Sequence, residues 1–112
     1  MDCIFCKIIN GEIPSTKVYE DKKMIIINDI APQAAKHYLA IPKVHFANIV
    51  EMDKKQAKIV GKMLKTIGEL ADSLGLQDGF RIVSNKGENG CQSVGHLHIH
   101  ILGGEKLSEK MG

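Results

Sequence analysis

Residues 96–100 read His-Leu-His-Ile-His and are followed by Ile101 and Leu102. Three of the five histidines in the chain therefore fall at every second position, with aliphatic residues between them. Side chains of an extended chain alternate between its two faces, so His96, His98 and His100 share one face and Leu97, Ile99 and Ile101 the other. The aliphatic face can bury against a core. The imidazole face is a row of groups able to accept protons, attack electrophiles or bind metal near neutral pH. Neutral imidazole is a good nucleophile toward phosphorus, and an ordinary pKa near 6.5 leaves most of it unprotonated at pH 7. A hydrogen bond from the second ring nitrogen to a backbone carbonyl would select the tautomer. His98 has a neighbour on either side, which makes it the natural nucleophile. Its attack would give a phospho-imidazole that then hydrolyses, while His96, His100 and His37 move protons to the leaving group. Three other readings compete: a row of solvated polar residues, three ligands to a catalytic zinc whose bound water is the nucleophile, or a non-catalytic module that binds a nucleotide or a partner.

The segment just before the row is Asn85-Lys-Gly-Glu-Asn-Gly-Cys-Gln-Ser-Val-Gly95. Its three glycines let the backbone bend sharply and approach a ligand closely. Exposed backbone N–H groups can form an anion-binding nest there, with Asn85 and Ser93 as neutral donors. A Walker loop is absent, because no Gly-Lys-Ser/Thr follows. By itself the segment reads as a flexible hairpin connection. Beside a potential nucleophile it reads as a phosphate or carboxylate site.

Cys3-Ile4-Phe5-Cys6 is a Cys-x-x-Cys pair, readable as metal-binding, redox-active or incidental. A disulfide is disfavoured in the cytosol, and a thioredoxin-like βαβ context is missing. A structural zinc needs four ligands, so two histidines brought close by the fold would complete the set. Cys91 reads as a small residue in the loop.

Positioning these groups requires a sheet and its supports. Residues 3–10 read as a short helix ending at Asn10-Gly11. Strands are expected over Lys17–Glu20, Met24–Asp29 and His37–Ile41, the second buried on both faces because Met24 to Ile27 are all apolar. A long helix is expected from the Asp53 cap, with Gln56 in the capping box, to Leu74, with Gly75 at C′. Gly61 and Gly68 lie on one side of it, which suits close packing against another element or a tolerant surface. A fourth strand is expected over Gly79–Ser84 and a fifth over His96–Leu102. The order β-β-β-α-β-β is that of an α+β domain with a mostly antiparallel sheet.

At 112 residues the chain reads as one domain, 1–112, with enough length for one core. It is 44% apolar and 25% charged, which is ordinary for a soluble globular protein. No apolar run approaches the roughly 20 residues needed to span a bilayer, and Met-Asp-Cys-Ile-Phe-Cys lacks the features of a signal peptide. These readings predict a cytoplasmic protein without a membrane partner. The net charge of +2, a single arginine (Arg81) and few aromatics give no basic stacking surface for nucleic acid. Lys54, Lys55, Lys58, Lys62 and Lys65 read as the wet face of the long helix. With so little arginine, any phosphate must be held by backbone N–H groups and small polar side chains.

His96 to Leu102 fit the motif His-φ-His-φ-His-φ-φ (φ apolar) at every place, and the chain resembles the histidine triad (HIT) superfamily. Within it the likeness is to the Hint branch, the purine nucleoside phosphoramidases. It extends over residues 3–104, through Ile4-Phe5, Lys7-Ile8-Ile9, Asp29-Ile30, Pro32-Gln33-Ala34, Ile41-Pro42-Lys43 and Gly90 to Gly104. The resemblance implies a HIT-like α+β fold, a five-stranded sheet with one long and one short helix, and two sheets joined in a homodimer. It implies hydrolysis of purine nucleoside phosphoramidates (AMP or GMP conjugates) at the α-phosphate, with His98 becoming nucleotidylated. His100 then lies by the α-phosphate and leaving group, with His37 near it. Asn85 and Ser93 match residues that hold phosphate or leaving group, and Gln92 neighbours them. Asp29 matches the acid that binds ribose hydroxyls; Phe5, Ile8 and Ile30 match the apolar walls of the base pocket. HIT proteins that carry the cysteine pair bind zinc through it and two histidines, which here implies Cys3, Cys6, His45 and His96. The Hint branch in animals ends in a Trp-containing tail that crosses the dimer and shapes leaving-group preference. Glu105 to Gly112 contain no aromatic, so the resemblance does not carry the leaving group over.

Overall fold

Met24-Ile25-Ile26-Ile27 has no polar face, and the chain places it where neither face meets water: all four residues are buried. In the computed structural model, which describes residues 3–110, this run is the second strand of a five-stranded antiparallel sheet. The strands are β1 (Lys17–Glu20), β2 (Met24–Asn28), β3 (Lys36–Pro42), β4 (Phe80–Ser84) and β5 (Ile99–Gly103). They lie in the order β1-β2-β3-β5-β4, so β4 is an edge strand. Asp21 makes the β1–β2 turn by accepting the backbone N–H groups of Lys23 and Met24 on Oδ1. Among the described residues no helix is long and apolar enough to cross a membrane.

The sheet alternation separates two cores. One face carries Met24, Ile26, Tyr38, Ala40, Ile99 and Ile101 against Met63, Ile67 and Ala71. Met63 and Ile67 belong to α2 (Lys54–Leu70). The other face carries Ile25, Ile27, Leu39 and Ile41 against Cys3, Phe5 and Ile8. Phe5 and Ile8 belong to α1 (Ile4–Ile9). Leu97, Ile99 and Ile101 all join the α2 core, so the imidazoles between them point to the α1 face.

The end of the long helix and the start of the last strand need correction. Regular helix ends at Leu70, not Leu74. The chain continues as a turn closed by hydrogen bonds from Leu76 N–H to the Ala71 carbonyl and from Gly75 N–H to the Asp72 carbonyl. That is a Schellman closure with Gly75 at C′, at φ 78°. The start agrees with the sequence, since Asp53 and Gln56 form a complete capping box. The fifth strand begins at Ile99, not His96. Ile99 pairs with Ala40 of β3 and Ser84 of β4. Beyond it β4 has ended, and β3 runs out at Pro42, which has no N–H to offer. Leu97 N–H instead bonds the Phe46 carbonyl at 2.7 Å, drawing residues 96–98 out of the ladder. An added Cβ at Gly61 or Gly68 would meet nothing within 4 Å, which agrees with a tolerant surface and not with close packing inside this chain.

Candidate active site and metal centre

His98 is held by its own backbone neighbourhood. Its Nδ1 lies 2.8 Å from the His96 carbonyl, which can only accept. Nδ1 therefore carries the hydrogen, and the lone pair of the neutral ring sits on Nε2. Phe5 meets the ring edge-on with centroids 5.0 Å apart, and the His100 ring lies 5.1 Å from it.

His100 belongs to β5, where it faces Leu39 of β3 and Val83 of β4. His37 lies diagonally across on β3, so the two rings share one sheet face. His37 Nε2 is 2.9 Å from His100 Nδ1. The backbone N–H of Gln33 donates to His37 Nδ1 at 3.0 Å, which puts the His37 hydrogen on Nε2. His37 then donates to His100 Nδ1, and neutral His100 keeps its hydrogen on Nε2. Burial, with further contributions from His98 and His37, pushes the His100 pKa below the ordinary value. Asp29 follows β2; its Oδ1 accepts the Ala31 N–H, and its Oδ2 lies 3.4 Å from His37 Nε2.

Two cavities adjoin this cluster. One, of about 470 Å³, is walled by Phe5, Ile8, Ile27 and Asp29, with Ile30 fully exposed at its rim. The other, of about 440 Å³, is lined by His37, His100, Asn85, Arg81, Leu107 and Ser108 among others. Phe5 of the first cavity and His100 of the second flank His98, and Asp29 of the first faces His37 of the second.

His96 is fully buried and faces away from this chemistry. Its Nε2–H donates to the Pro42 carbonyl at 2.8 Å, which leaves the Nδ1 lone pair free. That nitrogen lies 3.4 Å from Cys3 Sγ, 3.6 Å from Cys6 Sγ and 3.0 Å from His45 Nδ1; Cys6 Sγ lies 3.4 Å from His45 Nδ1. A tetrahedral zinc with usual bond lengths sets sulfur and nitrogen ligands about 3.6 Å apart and two nitrogens about 3.3 Å apart. The donor set fits: two soft thiols, and an imidazole whose outer nitrogen is already held by a carbonyl, as metal-bound histidines require. Burial and the adjacent Cys3 push the Cys6 thiol pKa up, so the two sulfurs do not become anionic side by side without a cation between them. Asp29, His37 and His100 also bring three donor atoms within 4.8 Å of one another. There the bond from Gln33 N–H keeps a hydrogen on His37 Nε2, which disfavours that nitrogen as a ligand. The three row histidines thus serve differently: Nδ1 of His96 faces the cysteines, Nδ1 of His100 accepts from His37, and His98 keeps its lone pair on Nε2.

The chain is similar along its length to known proteins. The family model described as scavenger mRNA decapping enzyme, C-terminal binding, matches residues 2–112. The 14 kDa zinc-binding protein of Brassica juncea is 46% identical over 109 residues, which cover 96% of each chain. Adenylylsulfatase HINT1 of Arabidopsis thaliana is 45% identical over 107 residues, 94% of this chain and 73% of that one. A solved histidine triad protein from Clostridium difficile superposes with a TM-score of 0.93 at 47% identity, over 99% of this chain and 97% of that one. The chain belongs to the histidine triad family.

Within that HIT framework the structure gathers most of the residues singled out in the sequence. His98, His100, His37 and Asp29 form one cluster; Phe5, Ile8 and Ile30 wall one cavity, and Asn85 lines the other. Cys3, Cys6, His45 and His96 converge. Ser93 is exposed in the loop. Gln92 does something else: its amide nitrogen donates to the Ala47 and Val94 carbonyls and its oxygen accepts the Gly87 N–H. These bonds brace the loop. Asn85 contributes to the same bracing through a 2.6 Å bond to the Gly90 carbonyl. The sequence reading missed Gln33, whose contribution is a backbone N–H and leaves no signal in residue type. It also missed that the lone arginine would matter. Arg81 donates to the Ser108 and Lys110 carbonyls and so holds the C-terminal tail along the second cavity.

Proposed function

We propose that this HIT protein hydrolyses purine nucleoside phosphoramidates, or related nucleotide conjugates, through a nucleotidyl-His98 intermediate. The observation that carries the reading is the contact of the His98 ring with both Phe5, which walls one cavity, and His100, which lines another of different character. The apolar cavity of Phe5, Ile8 and Ile30 suits a purine, and Asp29 at its end suits ribose hydroxyls. The cavity of His100, Asn85 and Arg81 suits a phosphate and leaving group. His98 Nε2 attacks the α-phosphorus and the bond to the leaving nitrogen breaks. The leaving amine takes the proton from His100 Nε2–H. Water then attacks the phospho-imidazole, returns the proton and releases the nucleoside monophosphate. Fixed tautomers make the attacking lone pair and the donated proton available without rearrangement.

Cys3, Cys6, His45 and His96 would hold a structural zinc, which needs no part in bond cleavage. The name of the Brassica relative as a zinc-binding protein supports that assignment, as the name of the Arabidopsis relative, an adenylylsulfatase, supports a nucleotide hydrolase. We read residues 1–112 as one HIT domain and the working form as a homodimer. Phe80 and Ile82 of edge strand β4 and Leu64 of α2 are exposed apolar residues, and Gly61 and Gly68 flank Leu64 on an open helix surface. A second copy covering this surface would extend the sheet and hide its edge. The test is incubation with adenosine 5′-phosphoramidate labelled at phosphorus, quenching, and mapping of the label. Label on His98 supports the reading. Turnover that never labels protein and stops on full chelation would replace it with a zinc-hydroxide mechanism.

A further inference from the structure

The metal centre and the nucleotide site share helix α1 and His96. Helix α1 has six residues, too few to persist alone in water. Cys3 caps it by accepting the Cys6 N–H on Sγ at 3.4 Å, and both thiols face His45 and His96. The same helix carries Phe5 and Ile8 into the apolar cavity. Phe5 meets His98 at 5.0 Å and His96 at 6.0 Å. His96 offers Nδ1 to the cysteines while its own carbonyl sets the His98 tautomer. His45 precedes Phe46 and Ala47, whose carbonyls hold Leu97 N–H and the Gln92 amide. Three pieces outside the sheet ladders therefore converge on Cys3, Cys6, His45 and His96: α1 with its cap, residues 45–47 and residues 96–98.

Resting on the nucleotide-hydrolase reading above, we propose that Cys3, Cys6, His45 and His96 are positioning residues for that site. With zinc bound, they clip α1 and His96 together, and this holds the purine wall and the His98 ring in place. Binding energy at a metal that joins separate segments appears as order in those segments. The sheet does not need the clip, because β2, β3 and β5 are paired through their own ladders.

The experiment compares zinc-loaded protein, the same protein after chelation, and Cys6→Ser. Three readouts are taken: amide exchange, nitrogen-15 spectra of the histidine rings, and AMP affinity by calorimetry. In the stripped protein, residues 4–9 are expected to lose exchange protection while β3 and β5 keep theirs. His98 is expected to lose its single Nδ1–H tautomer. The Kd for AMP is expected to rise about tenfold or more, as when one buried aromatic wall leaves a ligand. Adding zinc back should restore all three in the wild-type chain and not in Cys6→Ser. Unchanged AMP affinity and an unchanged His98 tautomer after stripping would overturn the proposal. So would simultaneous loss of protection in β3 and β5, because the centre would then support the whole fold. Zinc-loaded protein that binds no AMP would sink the nucleotide reading instead, and the clip would be decided by exchange and ring spectra alone.

Discussion

His37 Nε2 lies 2.9 Å from His100 Nδ1, and the direction of that bond is dictated from outside the pair. Gln33 N–H occupies the far nitrogen of His37, so His37 can only donate to His100. The hydrogen on His100 is thereby kept on Nε2, from which the proposed mechanism delivers it to the leaving group. His37→Ala should lower single-turnover hydrolysis by about 100-fold, the lower end for a proton-transfer group, with AMP affinity little changed. His37→Gln can place an amide donor near the same point and should recover part of the rate. Equal rates for wild type and His37→Ala would remove His37 from the chemistry.

His98→Ala should reduce turnover at least about a thousandfold, as loss of a nucleophile does. AMP should still bind, because the proposed base and ribose contacts come from Phe5, Ile8 and Asp29. Calorimetry beside a rate measurement separates the two effects. An active His98→Ala protein would end the covalent mechanism.

His100 makes the fold sensitive to acid. Its folded pKa lies below the ordinary 6.5, chiefly through burial, so the neutral ring is the stable one in the native state. Below about pH 6.5 the unfolded chain takes up more protons than the folded one, and stability falls as pH drops toward the folded value. Urea midpoints for zinc-loaded protein should decline between about pH 7 and pH 5. The decline should be shallower in His100→Asn. Identical slopes would show that the His100 ring carries none of this dependence.

The guanidinium of Arg81 donates to two tail carbonyls, those of Ser108 and Lys110. A lysine ammonium is a single point of donation and cannot reproduce that fork. Arg81→Lys should leave global stability nearly unchanged, since these bonds are exposed. It should raise amide exchange in residues 107–110 and alter KM for conjugates that differ only in leaving group. A leaving-group profile identical to wild type would show that the tail does not shape the second cavity.

Phe80 and Ile82 project from an edge strand as exposed apolar side chains. Ile82→Glu adds a charge at the surface proposed to join two copies, where burial without a partner is costly. Sedimentation should show dimer for wild type and monomer for the variant at micromolar protein. A monomeric wild type would refute the dimer.

Much of this site is written in local patterns. Alternation puts His96, His98 and His100 on one face, and the apolar run at Met24 to Ile27 can only be an interior strand. Asp53, Gln56 and Gly75 mark helix ends through hydrogen bonds made within a few residues. Such features need only neighbours in the chain, so residue type and spacing suffice to state them. The family motif adds roles for Asp29, Asn85 and the cysteines that spacing alone leaves open. What tertiary structure decided is how the row divides. The end of β4 and the proline at 42 strip residues 96–98 of ladder partners, so His96 turns to the cysteines and His98 bonds back to a carbonyl. The Gln33 amide orients His37, the Gln92 side chain is taken up by the loop, and Arg81 reaches the tail 27 residues on. These depend on backbone groups and on contacts between distant segments, and neither is a property of residue type at a position in the chain.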